Sequence, residues 1–181
     1  MKLLLQLILI SFSTSAFADD NALQRVLNER WFECHEAIYN NNFMGEPLLE
    51  DGVDIPDTEH ELRKKFFTVP DDAVEKFIIG KDGQAAYAVY REKILCAGKT
   101  MHGYCGSGGC TRDFVINYRI YELFGGAPVL VYADEAPVIL VGRSGSNCNA
   151  HPNAAPCIQA FIWDPDAQTL NTMGGHERPV R

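Results

Sequence analysis

Residues 111–123, TRDFVINYRIYEL, decide the fold class. Phe114, Ile116, Tyr118 and Ile120 alternate with Val115, Asn117, Arg119 and Tyr121, the two-residue period of a strand rather than the i, i+3, i+4 recurrence of a helix. The pattern predicts one long strand from Thr111 to Leu123, apolar on one face and mostly wet on the other. Downstream, Gly125-Gly126 turns the chain into APVLVYA, and DEAP at 134–137 turns it into VILVG. CIQAFIWD and AQTLNTM form a last hairpin across DPDA at 164–167, followed by a tail, GGHERPVR, expected to fray. Upstream, Phe77–Ile79 and Ala85–Tyr90 flank the turn GKDGQ, with the second strand continuing or resuming through Ile94 to Cys96. Short connections between successive strands predict an antiparallel meander.

Helical signals are confined to the first third. Leu23, Val26, Leu27, Trp31, Cys34 and Ile38 recur at helical spacing between Asp20 and Asn40, which points Cys34 into the core and leaves His35 on another face. Thr58 followed by Glu61 is a capping box for a short helix reaching about Phe67, after a Gly- and Pro-bearing loop at 43–57. Trp31 and Trp163 read as core residues. The fold class is therefore α+β: an N-terminal amphipathic helix packed on a mostly antiparallel meander of six to seven strands.

The chain opens MKLLLQLILISFSTSAFADD, whose single lysine, short apolar run and Ala16-Phe17-Ala18 form a secretory signal with cleavage expected after Ala18. The apolar run is far short of the ~20 residues that span a bilayer. Residues 19–181 then form a single exported domain, periplasmic or secreted, with no further membrane span. Loss of Lys2 takes the net charge from −8 to −9. Such a chain is a poor partner for nucleic acid or an anionic membrane and a better one for a cationic ligand.

Six cysteines in an exported chain argue for three disulfides. Cys105–Cys110 and Cys148–Cys157 would each close a short Gly-, Asn- and Pro-rich loop, leaving Cys34–Cys96. The first of these loops, HGYCGSGGCTRD at 102–113, concentrates the chemistry. Its glycines free backbone N–H groups for contact and the bridge fixes their shape, so His102, Gly106, Ser107, Gly108, Gly109 and Arg112 form the candidate binding set. A zinc reading from His102, Cys105 and Cys110 is set aside, because the spacing is looser than a zinc knuckle and the compartment oxidises thiols, so no metal or cofactor is assigned. CGSGGC also fails the Gly-x-Ser-x-Gly, chymotrypsin-like and phosphate-loop patterns. The enzymatic alternative is a small serine hydrolase using Ser107, His102 and Asp113. The second stapled loop, 145–157, carries His151, which reads as a solvent-exposed turn residue.

The pattern YCGSGGC, a strand meander, SNCN, APC and FIWD, from Cys105 to Asp164, resembles a group of exported bacterial proteins to which no activity is assigned. The Cys-x4-Cys spacing of Cys105 and Cys110 is also similar to the Ivy-type periplasmic lysozyme inhibitors, which present a disulfide-closed loop to a lysozyme active site. That family carries Lys, Pro, His and Asp between its cysteines, where this chain has Gly106, Ser107, Gly108 and Gly109. The resemblance implies that His102 and Arg112 would have to meet the lysozyme's catalytic carboxylates. The expected function is thus non-enzymatic: binding of a protein or cell-envelope ligand, of which inhibition of a lysozyme-type enzyme is one form.

Overall fold

The computed structural model describes residues 15–43, 45–79, 83–101, 103–133, 136–143, 157–172 and 175–177. Helix α1 spans Ser15–Tyr39 and buries Ala22, Val26, Trp31, Cys34, Ala37 and Ile38, the face expected from their spacing. Helix α2, Glu59–Phe66, starts where the capping box places it, with the Thr58 hydroxyl accepting from Glu61 N at 3.4 Å. Trp31 ties the two helices together by donating to Glu59 at 2.9 Å. No helix among the described residues is long and apolar enough to cross a membrane.

The strands are more numerous than expected and build more than one sheet. Strand β1 is Phe67–Thr68, β2 Val74–Ile79 and β3 Gln84–Val89, after which a 3-10 turn at Arg91–Lys93 leads into β4, Leu95–Cys96, and β5, Lys99–Thr100. Strand β6 is Cys105–Gly106, β7 Gly109–Ile116, β8 Arg119–Gly125, β9 Val129–Ala133 and β10 Ala136–Arg143. Beyond them lie β11, Cys157–Asp164, β12, Thr169–Thr172, and β13, Gly175–Glu177. A first five-stranded sheet runs β2-β3-β7-β6 with β8 on the other edge of β7, a second runs β13-β12-β11-β10-β9, and β1-β4-β5 form a small third sheet. All of the pairings are antiparallel.

Residues 111–123 are a hairpin rather than one strand. Asn117 and Tyr118 both take positive φ, 47° and 58°, the backbone of a two-residue primed turn, and Ile116 pairs with Arg119 across it. The turn restarts the alternation: Phe114 and Tyr121 point to one face, Val115 and Ile120 to the other. After β3 the strand resumes, past the 3-10 turn, as β4 in the small third sheet. The tail, expected to fray, contributes β13, which pairs with β12.

The first sheet is covered on both faces, which makes the molecule three layers deep. Ala85, Tyr87, Val89, Val115 and Ile120 pack beneath α1. Ala86, Ala88, Phe114, Ile116, Tyr121 and Leu123 pack against Ile139, Val141, Phe161, Trp163 and Leu170 of the second sheet. Trp31 and Trp163 are both core, as expected. The two sheets close together at a glycine corner: a Cβ on Gly109 would lie 2.4 Å from the Gly125 carbonyl, and one on Gly125 would lie 2.4 Å from the Gly142 oxygen. Gly126 N donates to that same Gly142 oxygen at 2.7 Å. Only backbones without side chains approach so closely.

Candidate functional site

Two of the expected disulfides are in place. Cys34–Cys96 staples α1 to the small third sheet with a Cα–Cα distance of 5.5 Å, and Cys105–Cys110 joins residues directly opposite each other on β6 and β7. Cys157 is disulfide-bonded, while its expected partner Cys148, like His151 and the rest of 144–156, lies outside the described residues. His102 lies outside them as well.

The stapled hairpin divides the candidate residues into a tip and a base. Gly106 and Ser107 are exposed, and a side chain at Gly106 would meet open space. Gly109, at φ +125°, belongs to the glycine corner and serves the joining of the sheets. Arg112 is held at the hairpin's base. Its guanidinium pairs with Glu92, donates to the Gly125 carbonyl at 2.5 Å and lies 5.1 Å from the centre of the Tyr90 ring, leaving 11% of the side chain exposed. Asp113 is fully buried and pairs with Arg91, which also reaches Glu122. Four residues of strand, about 13 Å, separate Asp113 from Gly109, and its side chain lies on the face beneath α1. Asp113 is therefore committed to Arg91.

A polar cluster missed in the sequence holds the loop's base. Tyr104, the residue before Cys105, has two guanidiniums over its ring, Arg30 at 5.4 Å and Arg91 at 5.2 Å from the ring centre. Its hydroxyl accepts from Arg30 at 2.8 Å and donates to Glu33, and its carbonyl accepts from Thr111 N at 2.6 Å. On the opposite face of the first sheet, Arg112, Glu92, Tyr90 and Glu75 form a chain of contacts. The signal available in the sequence was YREK at 90–93, a charged triplet interrupting an apolar run, which ends β3 so that Arg91 and Glu92 flank the hairpin.

Burial, followed by the hydrogen bond to Glu33, pushes the Tyr104 phenol up to about 12. Because the folded-state value exceeds the unfolded one of 10.0, the neutral phenol favours folding. The contribution is fully present below about pH 10 and is lost as pH rises through about 12. An absorbance titration of tyrosinate should show Tyr104 ionising in that upper range, and Tyr104→Phe should remove that step while leaving less of the alkaline loss of stability. A Tyr104→Phe titration identical to the parent's would contradict this placement.

Beside the loop's base, Asp71, Asp72, Glu75 and Glu92 line a groove of about 520 Å³ together with Lys76, Lys93 and Arg112. A second candidate surface is the outer face of the second sheet, where Val129, Val131, Ile158 and Ile162 are exposed with no charged side chain among them. No protein-family model, no curated protein and no solved structure matches the chain.

Proposed function

We propose that this is a non-enzymatic, periplasmic or secreted binding domain whose recognition element is the tip of the Cys105–Cys110 hairpin, and whose partner is a protein with a basic surface. The observation that carries this reading is the division of the hairpin. Its base is clamped through Tyr104 and Arg112, while Gly106 and Ser107 stand exposed on a bridged turn. A loop so held loses little conformational entropy on binding. The net charge of −8 would steer a cationic partner toward the domain. A basic lysozyme is the first partner to try, with residual lytic activity as the readout.

The test is capture from envelope extract by the oxidised domain, by a Cys105→Ala/Cys110→Ala variant and by Ile158→Asp, each first shown to be folded by circular dichroism. The expected result is a partner retained by the oxidised domain and by Ile158→Asp but lost from the bridgeless variant. Capture that survives loss of the bridge and fails with Ile158→Asp would move the function to the apolar sheet face.

A further inference from the structure

We propose that β9, Val129–Ala133, is the pairing edge of a two-fold dimer, in which β9 of a second copy of this chain adds antiparallel to it about an axis at Val131. β9 ends the second sheet, and no strand among the described residues bonds its far side. Val129, Val131, Tyr132 and Ala133 are all exposed, yet the strand reads VLVYA, without a charge. Of the eleven exposed large apolar side chains among the described residues, three are on β9, and Ile78, Ile158 and Ile162 add three more on β2 and β11. Apolar exposure is therefore gathered around the second sheet rather than scattered. The Tyr132 hydroxyl donates to the Ile78 carbonyl, which ties β9 to the first sheet and holds the edge in place.

Edge strands of monomeric proteins are shielded by charge, brevity, proline or a covering element. The other edges of the two five-stranded sheets follow that rule: β2 exposes Glu75 and Lys76, β8 carries Arg119 and Glu122, β13 has three residues and β6 has two. β9 has five residues and neither charge nor proline. Left open, such an edge recruits strands without control; paired once, it is closed.

A second copy fits this edge position by position. With the axis at Val131, Val131 faces Val131 of the second copy, Val129 faces its Ala133 and Leu130 faces its Tyr132. Every pair is apolar, and the exposed Tyr132 ring gains an apolar neighbour, since residues opposed across an antiparallel pair share a face of the sheet. An axis centred on one residue also sets the outward N–H and C=O groups of the two strands opposite each other, whichever alternate residues present them. Charge selects the same contact. Two chains of net charge −8 repel, and they meet at least cost where neither presents a charge. Pairing uses up β9 and leaves only short or charged edges, so assembly stops at two. The contact is independent of the Cys105–Cys110 hairpin and its partner.

The experiment is analytical sedimentation of the oxidised protein from micromolar to submillimolar concentration, beside Val131→Lys, Val131→Glu and Ile55→Lys, each first shown to be folded by circular dichroism. Val131 and Ile55 are both exposed, so none of these changes buries a charge in the core, and Ile55, which precedes α2, controls for loss of an exposed apolar residue elsewhere. Wild type and Ile55→Lys are expected to sediment with twice the mass of one chain. Each Val131 variant should sediment as a single chain, because two like charges then meet at the axis. An equal mixture of Val131→Lys and Val131→Glu should regain the dimer, since opposite charges now face each other. Amide exchange of wild type adds a readout that needs no substitution: protection of the β9 amides should rise with concentration. A wild type that stays monomeric throughout, as it would if β9 awaited a strand from a different protein, would overturn the proposal. So would a dimer that persists in both Val131 variants, a mixture that stays monomeric, or β9 protection that ignores concentration.

Discussion

Asp113→Ala is expected to destabilise the domain by about 3–5 kcal/mol, the range for breaking a buried ion pair from one side. Asp113 has no solvent exposure, and Arg91 keeps 4% of its surface. Removing the carboxylate leaves a guanidinium enclosed beneath α1 with the half-exposed Glu122 and the face of the Tyr104 ring to meet it. Burial alone works against the charge on Arg91, and the hydrogen bonds and charges of Asp113 and Glu122 more than reverse that effect. The effect of deletion should therefore be dominated by the stranded charge rather than by the lost bond. Replacing both partners with apolar residues, Arg91→Met with Asp113→Leu, should recover most of the loss, because Glu122 can return to water. Urea denaturation should show the single variant's midpoint falling at an unchanged slope and the double variant's rising back toward the parent. A cost below about 1 kcal/mol for Asp113→Ala would mean that water reaches the cluster.

The second large effect is expected at the long-range bridge. Cys34–Cys96 spans a sequence separation of 62 and links α1 to the small sheet. The chain-entropy estimate for a loop of that length is roughly 4 kcal/mol. Both residues are buried, so Ala is the cleaner replacement, since Ser would bury two hydroxyls among apolar neighbours. Cys34→Ala/Cys96→Ala should lose about that amount in denaturant unfolding, with α1 loosened first in hydrogen exchange. The six-residue loop of Cys105–Cys110 restrains little chain, so its removal should cost about half as much. Equal costs for the two bridges would show that native contacts, rather than chain restraint, govern their effect.

What was legible in the sequence follows the range of the signal. The helices and most strand cores were readable because their periodicity is local, and Thr58 with Glu61 marked the start of α2 within a residue. The break at Asn117-Tyr118 was hidden because a two-residue turn interrupts the alternation without a glycine or proline to announce it. The split into two facing sheets was equally hidden. It depends on Gly109, Gly125 and Gly142 meeting in space, and no local pattern pairs residues so far apart. Of the loop, the bridge and exposed tip were readable from composition and spacing. The commitments of Arg112 and Asp113 were not, because Glu92 and Arg91 reach them from 20 and 22 residues away in the chain.

The central claim is that the exposed tip of the bridged hairpin contacts the partner. Its most direct measurement is a calorimetric titration of the captured partner with wild type, Ser107→Trp and Ile158→Asp. The account predicts that Ser107→Trp weakens binding at least about tenfold, ~1.4 kcal/mol, while Ile158→Asp binds as wild type does. Unchanged affinity for Ser107→Trp, with loss confined to Ile158→Asp, would contradict it and place recognition on the second sheet.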